Sequence, residues 1–467
     1  MAILNKLMNV IPEVKAPEQK LGFKDKLTWT LIILVAFFLL GVLPLYGLGQ
    51  NALQQFEQLS IILGASFGSI LSLGIGPIVT SSIVLQLLVG SGILKIDHHT
   101  PEGRSYFQGL QKILTIFFIL FEGAIYVFLG GLAPSADLAP SAFFNMQLVL
   151  VAQLIVGGLL ILYMDEIVSK WGFGSGVSLF IAAGVSAEIF IRAFSPLTST
   201  GVLAFGSGQP PVGAILVFFL SLVKGDPTSA ILALSAVLAT IVVFVVSVYV
   251  QAMKVEIPLT FGRVRGYGMR WPLNFLYTSV IPVILIAALM ANMQLWARLL
   301  QSWGKPILGT FVGNSPATGL VSWLNPPAII QNLIQGSFVY SDLARGFVYI
   351  LVLAVGAVIF SIFWVQTSGM DAGSQAKQIM SSGLQVPGFR RDPRVIESLL
   401  KRYIFPLTIM GGLTIGILAG ATDLLGALSR GTGILLAVMI IYKLYEDISK
   451  QHMMDMHPAL RKMMGGE

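Results

Sequence analysis

The chain has 467 residues, 55% hydrophobic and 11% charged, with a mean hydropathy of +0.83 and a formal charge of +7. Soluble globular proteins carry roughly 25% charged residues, so this composition argues against a soluble multidomain protein. There is no cysteine, which excludes disulfides, thiol catalysis and cysteine metal sites.

Residues 1–26 are polar and contain Pro12 and Pro17. They precede an apolar run too long for a cleavable signal core, which is expected to be retained as an anchor. Ile3, Leu7, Val10 and Ile11 stand near helical spacing, which fits an amphipathic interfacial helix and equally a frayed tail. Apolar runs long enough to cross the roughly 30 Å hydrocarbon layer as helix then recur to the end of the chain. Spans are read at 27–46, 59–94 (broken), 107–132, 143–164, 174–194, 229–253, 273–296, 346–367, 403–425 and 431–448. The fold class is therefore all-α: a polytopic membrane protein of about ten transmembrane helices.

Lys and Arg fall 23 to 6 on the two sides of this arrangement, and the positive-inside rule places both termini in the cytosol. Five spans per half is an odd number, so the second five run inverted relative to the first, an arrangement that often encloses a central pathway. The expected organisation is a cytosolic N-terminus (1–26), an N-terminal half (27–200), an external loop (201–228), a C-terminal half (229–448) and a cytosolic tail (449–467). The external region also holds an apolar stretch at 212–223, too short to cross, and an ordered loop is expected at 300–344.

The broken second segment is the most informative. Its 36 residues are too many for one span and too few for two with a loop, and Gly74-Ile75-Gly76-Pro77 cuts it. The part before the cut, 59–73, is rich in small residues (Gly64, Ala65, Ser66, Gly68) and fits a half-helix packed inside protein. Broken backbone at membrane depth needs a protein or water-filled surrounding, so the break marks a pathway; a plain proline kink is the alternative. Gly174-Ser175-Gly176 and Gly431-Thr432-Gly433 open two further helices. With no preceding strand and no phosphate-binding lysine motif, they read as close backbone approaches rather than a nucleotide site. Ile75/Val79 and Val177/Ile181 each share a helical face, although spacing alone favours ordinary packing.

Glu122 is the clearest charge within a span, which leaves an ion-coupled transporter little machinery. No histidine lies in a span, His98 and His99 read as a solvated loop, and no paired aspartates occupy span centres. Neither an enzyme nor a metal or cofactor site is expected. Two long basic loops, about 253–271 and 368–402, mix glycine and proline with arginine and suit an acidic partner such as anionic lipid or RNA.

Ordered stretches over nearly the full length carry a family resemblance: Leu73-Gly74-Ile75-Gly76-Pro77-Ile78-Val79-Thr80, Gln86-Leu87-Leu88-Val89-Gly90-Ser91-Gly92, Asp165-Glu166-Ile167-Val168-Ser169-Lys170, Gly174-Ser175-Gly176, Ile281-Pro282-Val283-Ile284, Phe363-Trp364-Val365 and Lys401-Arg402-Tyr403. With these the chain resembles the SecY family of translocon channel subunits, its archaeal and eukaryotic branch above all. The resemblance implies a protein-conducting channel in the cell membrane, with an hourglass pore between two inverted five-helix halves. It implies a constriction ring at Ile75, Val79, Val177, Ile181, Ile284 and Leu436, and a plug at about 59–73. A lateral gate carrying Thr80, Gln86 and Asn292 would release apolar segments into lipid. Ribosome contacts are implied at Arg263, Arg265, Arg390 and Arg391, touching ribosomal RNA. The implied partners are small SecE-type and β-type subunits, the ribosome and a signal-bearing nascent chain. An inverted-repeat solute or ion transporter is the alternative function, and a lipid scramblase or insertase would use a similar seam.

Overall fold

The computed structural model describes residues 11–19, 21–49, 68–90, 92–94, 96, 100–128, 131–135, 138–198, 202–204, 209–261, 268–278, 281–312, 315–381, 384–385 and 393–456. In chain order, α1 (Phe23–Val42), α2 (Gly76–Gly90), α3 (Pro101–Phe128), α4 (Pro140–Trp171) and α5 (Gly176–Phe194) make a first half. The short α6 (Ala214–Lys224) leads to α7 (Pro227–Ala252), strands β1 (Lys254–Phe261) and β2 (Gly268–Asn274), and α8 (Ile281–Ser302). Then come β3 (Phe311–Val312), β4 (Ser315–Pro316), α9 (Leu320–Trp323), α10 (Ile329–Ile334) and α11 (Tyr340–Thr367). The chain closes with α12 (Ala372–Ser381), β5 (Leu384–Gln385), α13 (Pro393–Leu424) and α14 (Gly431–Met456).

Each of the ten predicted spans contains one helix: α1 to α5, then α7, α8, α11, α13 and α14. Among the described residues, eight helices are long and apolar enough by themselves to cross a membrane. The other two have clear reasons for falling short. Helix α2 has 15 residues, about 22 Å of helix, because the chain ahead of it is not helical. Helix α14 carries Lys443, Glu446, Asp447 and Lys450 in its second half, so it leaves the apolar layer as it runs toward the basic side.

Sequence chemistry sets the helix ends. Pro140 opens α4, and Pro227 opens α7 behind Asp226, whose side chain accepts from the Ser229 amide. Gly225, at φ +71°, stops α6 in the left-handed conformation and turns the chain straight into α7. Helices α11 and α13 pack closely because glycines recur every fourth residue on α13. A Cβ on Gly412 would lie 2.7 Å from Ser361 Oγ, on Gly416 2.5 Å from Ala354 Cα, and on Gly420 2.8 Å from the Ile350 side chain. Small residues at this spacing let membrane helices approach backbone to backbone.

Two findings depart from the expected architecture. Residues 68–73 are not the half-helix read from 59–73; they form successive tight turns, with Gly68 at φ +85° and Gly74 at φ +54°. Their backbone is tied to the end of α1 by Leu45 N–H to the Gly68 carbonyl and Ile70 N–H to the Leu43 carbonyl. Residues 59–67 lie outside the described residues. The second departure is a small sheet in an otherwise helical chain. β1 pairs antiparallel with β2 from Lys254↔Asn274 to Thr260↔Gly268, and β5 joins β1 at Thr260↔Gln385. The two basic loops are thus stitched into one three-stranded sheet.

Candidate functional site

The broken segment brings Ile75 to the threshold of α2, with Val79 one turn further along that helix. Helix α5 supplies Val177 and Ile181, α8 supplies Ile284, and α14 supplies Leu436. Elements from both halves thus converge on one apolar cluster holding Ile75, Val79, Ile181, Ile284 and Leu436, with the partly buried Val177 packed against it. Ile75 is fully buried and Leu436 only 5% exposed. Val79, Val177 and Ile284 also line a cavity of about 640 Å³, whose walls carry Gln86, Arg104, Asp165, Lys443 and Asp447. The cavity is a vestibule whose lining mixes these charged and amide groups with a larger apolar surface, and Val79, Val177 and Ile284 of the aliphatic cluster form part of its wall.

The segment leading to Ile75 is buried by close backbone contact. A Cβ on Gly157 of α4 would overlap the Ile70 carbonyl oxygen at 1.8 Å, so only glycine lets α4 lie against these turns. Leu71, Ser72 and Leu73 are almost wholly inaccessible, and the Ser72 hydroxyl donates to the Ser69 carbonyl. This satisfies the requirement that irregular backbone at membrane depth be packed in protein.

Of the three residues expected at a lateral seam, the structure joins two. Asn292 Nδ2 on α8 donates to the Thr80 hydroxyl on α2 at 3.1 Å, and that hydroxyl lies 2.9 Å from a carboxylate oxygen of Glu122 on α3. A polar chain therefore runs across three helices and links the halves, with the buried Glu122 at its end. Glu122 is visible in the sequence as an intramembrane charge, but its partners lie 42 and 170 positions away. Gln86 stands apart from Thr80 and Asn292: it is 2% exposed, lines the vestibule, and its Oε1 has no partner among the described residues. Where α2 meets α11, the Gly90 Cβ position falls 2.6 Å from the Phe363 ring.

Residues given no site role from the sequence also shape the site. Asp165 Oδ1 accepts from the Val177 amide, and Asp423 Oδ1 accepts from the Thr432 amide, each at 2.8 Å. The signal for both is an acidic residue at the end of one span just ahead of a Gly-x-Gly turn. Arg263, Arg265, Arg390 and Arg391, together with Gly64, Ala65 and Ser66, lie outside the described residues; Gly68 is placed beside the end of α1.

Comparison with known proteins agrees with this geometry. The SecY family model matches residues 69–445. The protein translocase subunit SecY of Methanothermobacter thermautotrophicus is 46% identical over 98% of both chains. The chain belongs to the SecY family. Among solved structures, one describes the SecY plug domain as stabilising the closed state of the translocation channel and maintaining a membrane seal; it is 40% identical, with a TM-score of 0.83, over 98% of this chain and 99% of that one. Sec61 in the canine ribosome-channel complex from the endoplasmic reticulum has 40% identity and a TM-score of 0.80 over the same shares. This is a family of protein-translocation channels.

Proposed function

We propose that the chain is the channel subunit of a protein translocase in the cell membrane, with both termini cytosolic. It conducts unfolded polypeptide through the cluster formed by Ile75, Val79, Val177, Ile181, Ile284 and Leu436. The observation that carries this reading is the convergence of aliphatic side chains from both halves beside a vestibule that also carries charged and amide groups. Each unpaired backbone group in hydrocarbon costs several kcal/mol, so a translocating chain needs a wet route. A thin aliphatic ring closes such a route by dewetting yet can fit around a peptide. Five of the six ring residues are β-branched, which keeps the ring stiff.

Residues 59–73 act as the plug, and the seam of α2 and α3 against α8 and α11 acts as the lateral gate, with Thr80, Gln86 and Asn292 as its polar positions. The chain works with SecE-type and β-type subunits and with the ribosome, which it meets through Arg263, Arg265, Arg390 and Arg391. It needs no cofactor and catalyses no reaction, so driving force comes from a partner. The experiment reconstitutes the chain with ribosomes stalled on a signal-bearing nascent chain and places photo-crosslinkers at Ile75, Ile284 and Asn292. Nascent-chain adducts at the first two and signal-helix adducts at Asn292 are expected. An absence of signal-dependent adducts at all three sites overturns the reading and reinstates the inverted-repeat transporter.

A further inference from the structure

The two halves build their ring residues in the same way. In the second helix of each half, a proline is the second residue, Pro77 in α2 and Pro282 in α8, and the ring residue follows two positions later: Val79 and Ile284. In the fifth helix, the first residue is a glycine, Gly176 in α5 and Gly431 in α14, and the ring residue follows five positions later: Ile181 and Leu436.

The fifth helices share a further device. A carboxylate from the end of the preceding helix caps each N-terminus. Asp165 on α4 takes the Val177 amide. Asp423 on α13 takes both the amide and the hydroxyl of Thr432, and is itself held by the Tyr349 hydroxyl on α11. The opening glycines make the approach possible. A Cβ on Gly176 would lie 2.5 Å from Asp165 Cα, and one on Gly431 2.1 Å from the Thr422 carbonyl carbon. Near the same level α5 and α14 touch directly, the Gly433 Cβ position falling 3.4 Å from Val185.

From this repeated construction we infer that Asp165 and Asp423 are a matched pair of positioning residues, which fix the height and rotation at which Ile181 and Leu436 enter the ring. The inference rests on the reading of these residues as a constriction. A cap borne on the neighbouring helix satisfies amides that have no intrahelical partner, and it places negative charge at the positive end of the helix dipole. It therefore ties the axial position of the fifth helix to that of the fourth. A slip of one residue moves a side chain about 1.5 Å along the axis and about 100° around it, enough to carry Ile181 or Leu436 out of a ring one side chain thick. The caps act from opposite faces, Asp165 beside the cytosolic vestibule and Asp423 on the outer side, so each holds one arm of the ring independently.

The test measures resting ion leak in proteoliposomes holding the complete translocase, alongside thermal stability. Asp165→Ala, Asp423→Ala and Gly176→Ala are each expected to raise the leak by about fivefold, the size that loss of one cap produces. Asp165→Asn and Asp423→Asn should leak less, because an amide oxygen still accepts but carries no charge; they carry the test if an alanine variant fails to assemble. Asp226→Ala removes a local carboxylate cap from α7, which bears no ring residue, and should lower stability without leak. Ile75→Gly and Ile284→Gly test the ring itself. Leaky ring variants with tight aspartate variants would overturn the positioning role alone, whereas tight ring variants would overturn the constriction. A leak confined to one of the two aspartates would overturn the matched pair.

Discussion

Glycine does opposite things at two places in this molecule, and the difference can be measured. At Gly416 the missing side chain is a packing requirement: a Cβ would sit 2.5 Å from the Ala354 Cα and 2.8 Å from the Leu353 carbonyl oxygen. Backbone atoms cannot yield as a flexible side chain can, so Gly416→Ala must push α13 away from α11. A loss of about 1–3 kcal/mol is expected, the usual cost of overpacking. Gly123 on α3 meets nothing closer than 3.7 Å. Gly123→Ala is expected to be neutral or to stabilise by up to about 1 kcal/mol through helix propensity. Thermal unfolding of the two variants in the same detergent checks both signs. If Gly416→Ala matches the parent, the glycine row is not what holds α11 to α13.

At the scale of elements, the N-terminal part of α3 and the C-terminal end of α4 hold the N-terminal segment by a compact ionic cluster. Glu166 lies between Lys112 at 2.9 Å and Lys170 at 3.0 Å. Lys112 also donates to the Pro12 carbonyl, Lys170 reaches Glu13 and the Val14 carbonyl, and the Trp171 indole donates to the Lys15 carbonyl. Glu166→Gln leaves Lys112 without its counter-charge and Lys170 with Glu13 alone, and it should make residues 12–15 open to proteolysis at physiological salt while the parent stays protected. Unchanged cleavage would show that the carbonyl contacts suffice. The outer turn between α6 and α7 answers to pH instead. The Ser229 hydrogen bonds hold the Asp226 carboxyl below its ordinary value of 3.8. Its capping contribution is therefore complete above that value and is lost as pH falls through the lowered one. Amide exchange at Ser229 should stay slow at pH 5 to 7 and quicken below pH 4, beyond the intrinsic pH trend; parallel behaviour in Asp226→Asn would remove the cap from the explanation. The spans were legible in the sequence because lipid demands long apolar windows and basic residues segregate by side. The β1–β2 ribbon was not, since Pro258 and Pro272 sit inside its strands and its partner β5 lies more than a hundred residues away. The turns at 68–73 were read as helix because small apolar residues serve either form; the tie to residues 43–45 that decides the matter is non-local. The proposed ring positions come from the family resemblance, whereas spacing alone leaves them as ordinary packing.

Across the whole molecule, the two halves meet on two unlike fronts. At the back, α5 and α14 join through apolar packing at Val185 and Gly433, and Ser429 donates to Glu188 at 2.8 Å while Arg192 holds the Leu428 carbonyl. At the front, α2 meets α8 and α11 through apolar packing around Val79 and Ile284, the Asn292–Thr80 hydrogen bond and the contact of Gly90 with the Phe363 ring. A net contribution of about 1 kcal/mol is typical of one neutral hydrogen bond, so the polar tie across the front is weak, and in the proposed lateral gate this is the seam an entering apolar helix would replace. On the proposed function, the front is the place where the halves separate. The chain has no cysteine, so a Gly90→Cys/Phe363→Cys pair forms one unambiguous crosslink. Once oxidised, this channel should bind ribosomes as before but fail to pass signal-bearing chains or release an apolar segment into lipid, and a reductant should restore both. Translocation at the parent rate with the disulfide intact would mean that the halves part somewhere other than between α2 and α11.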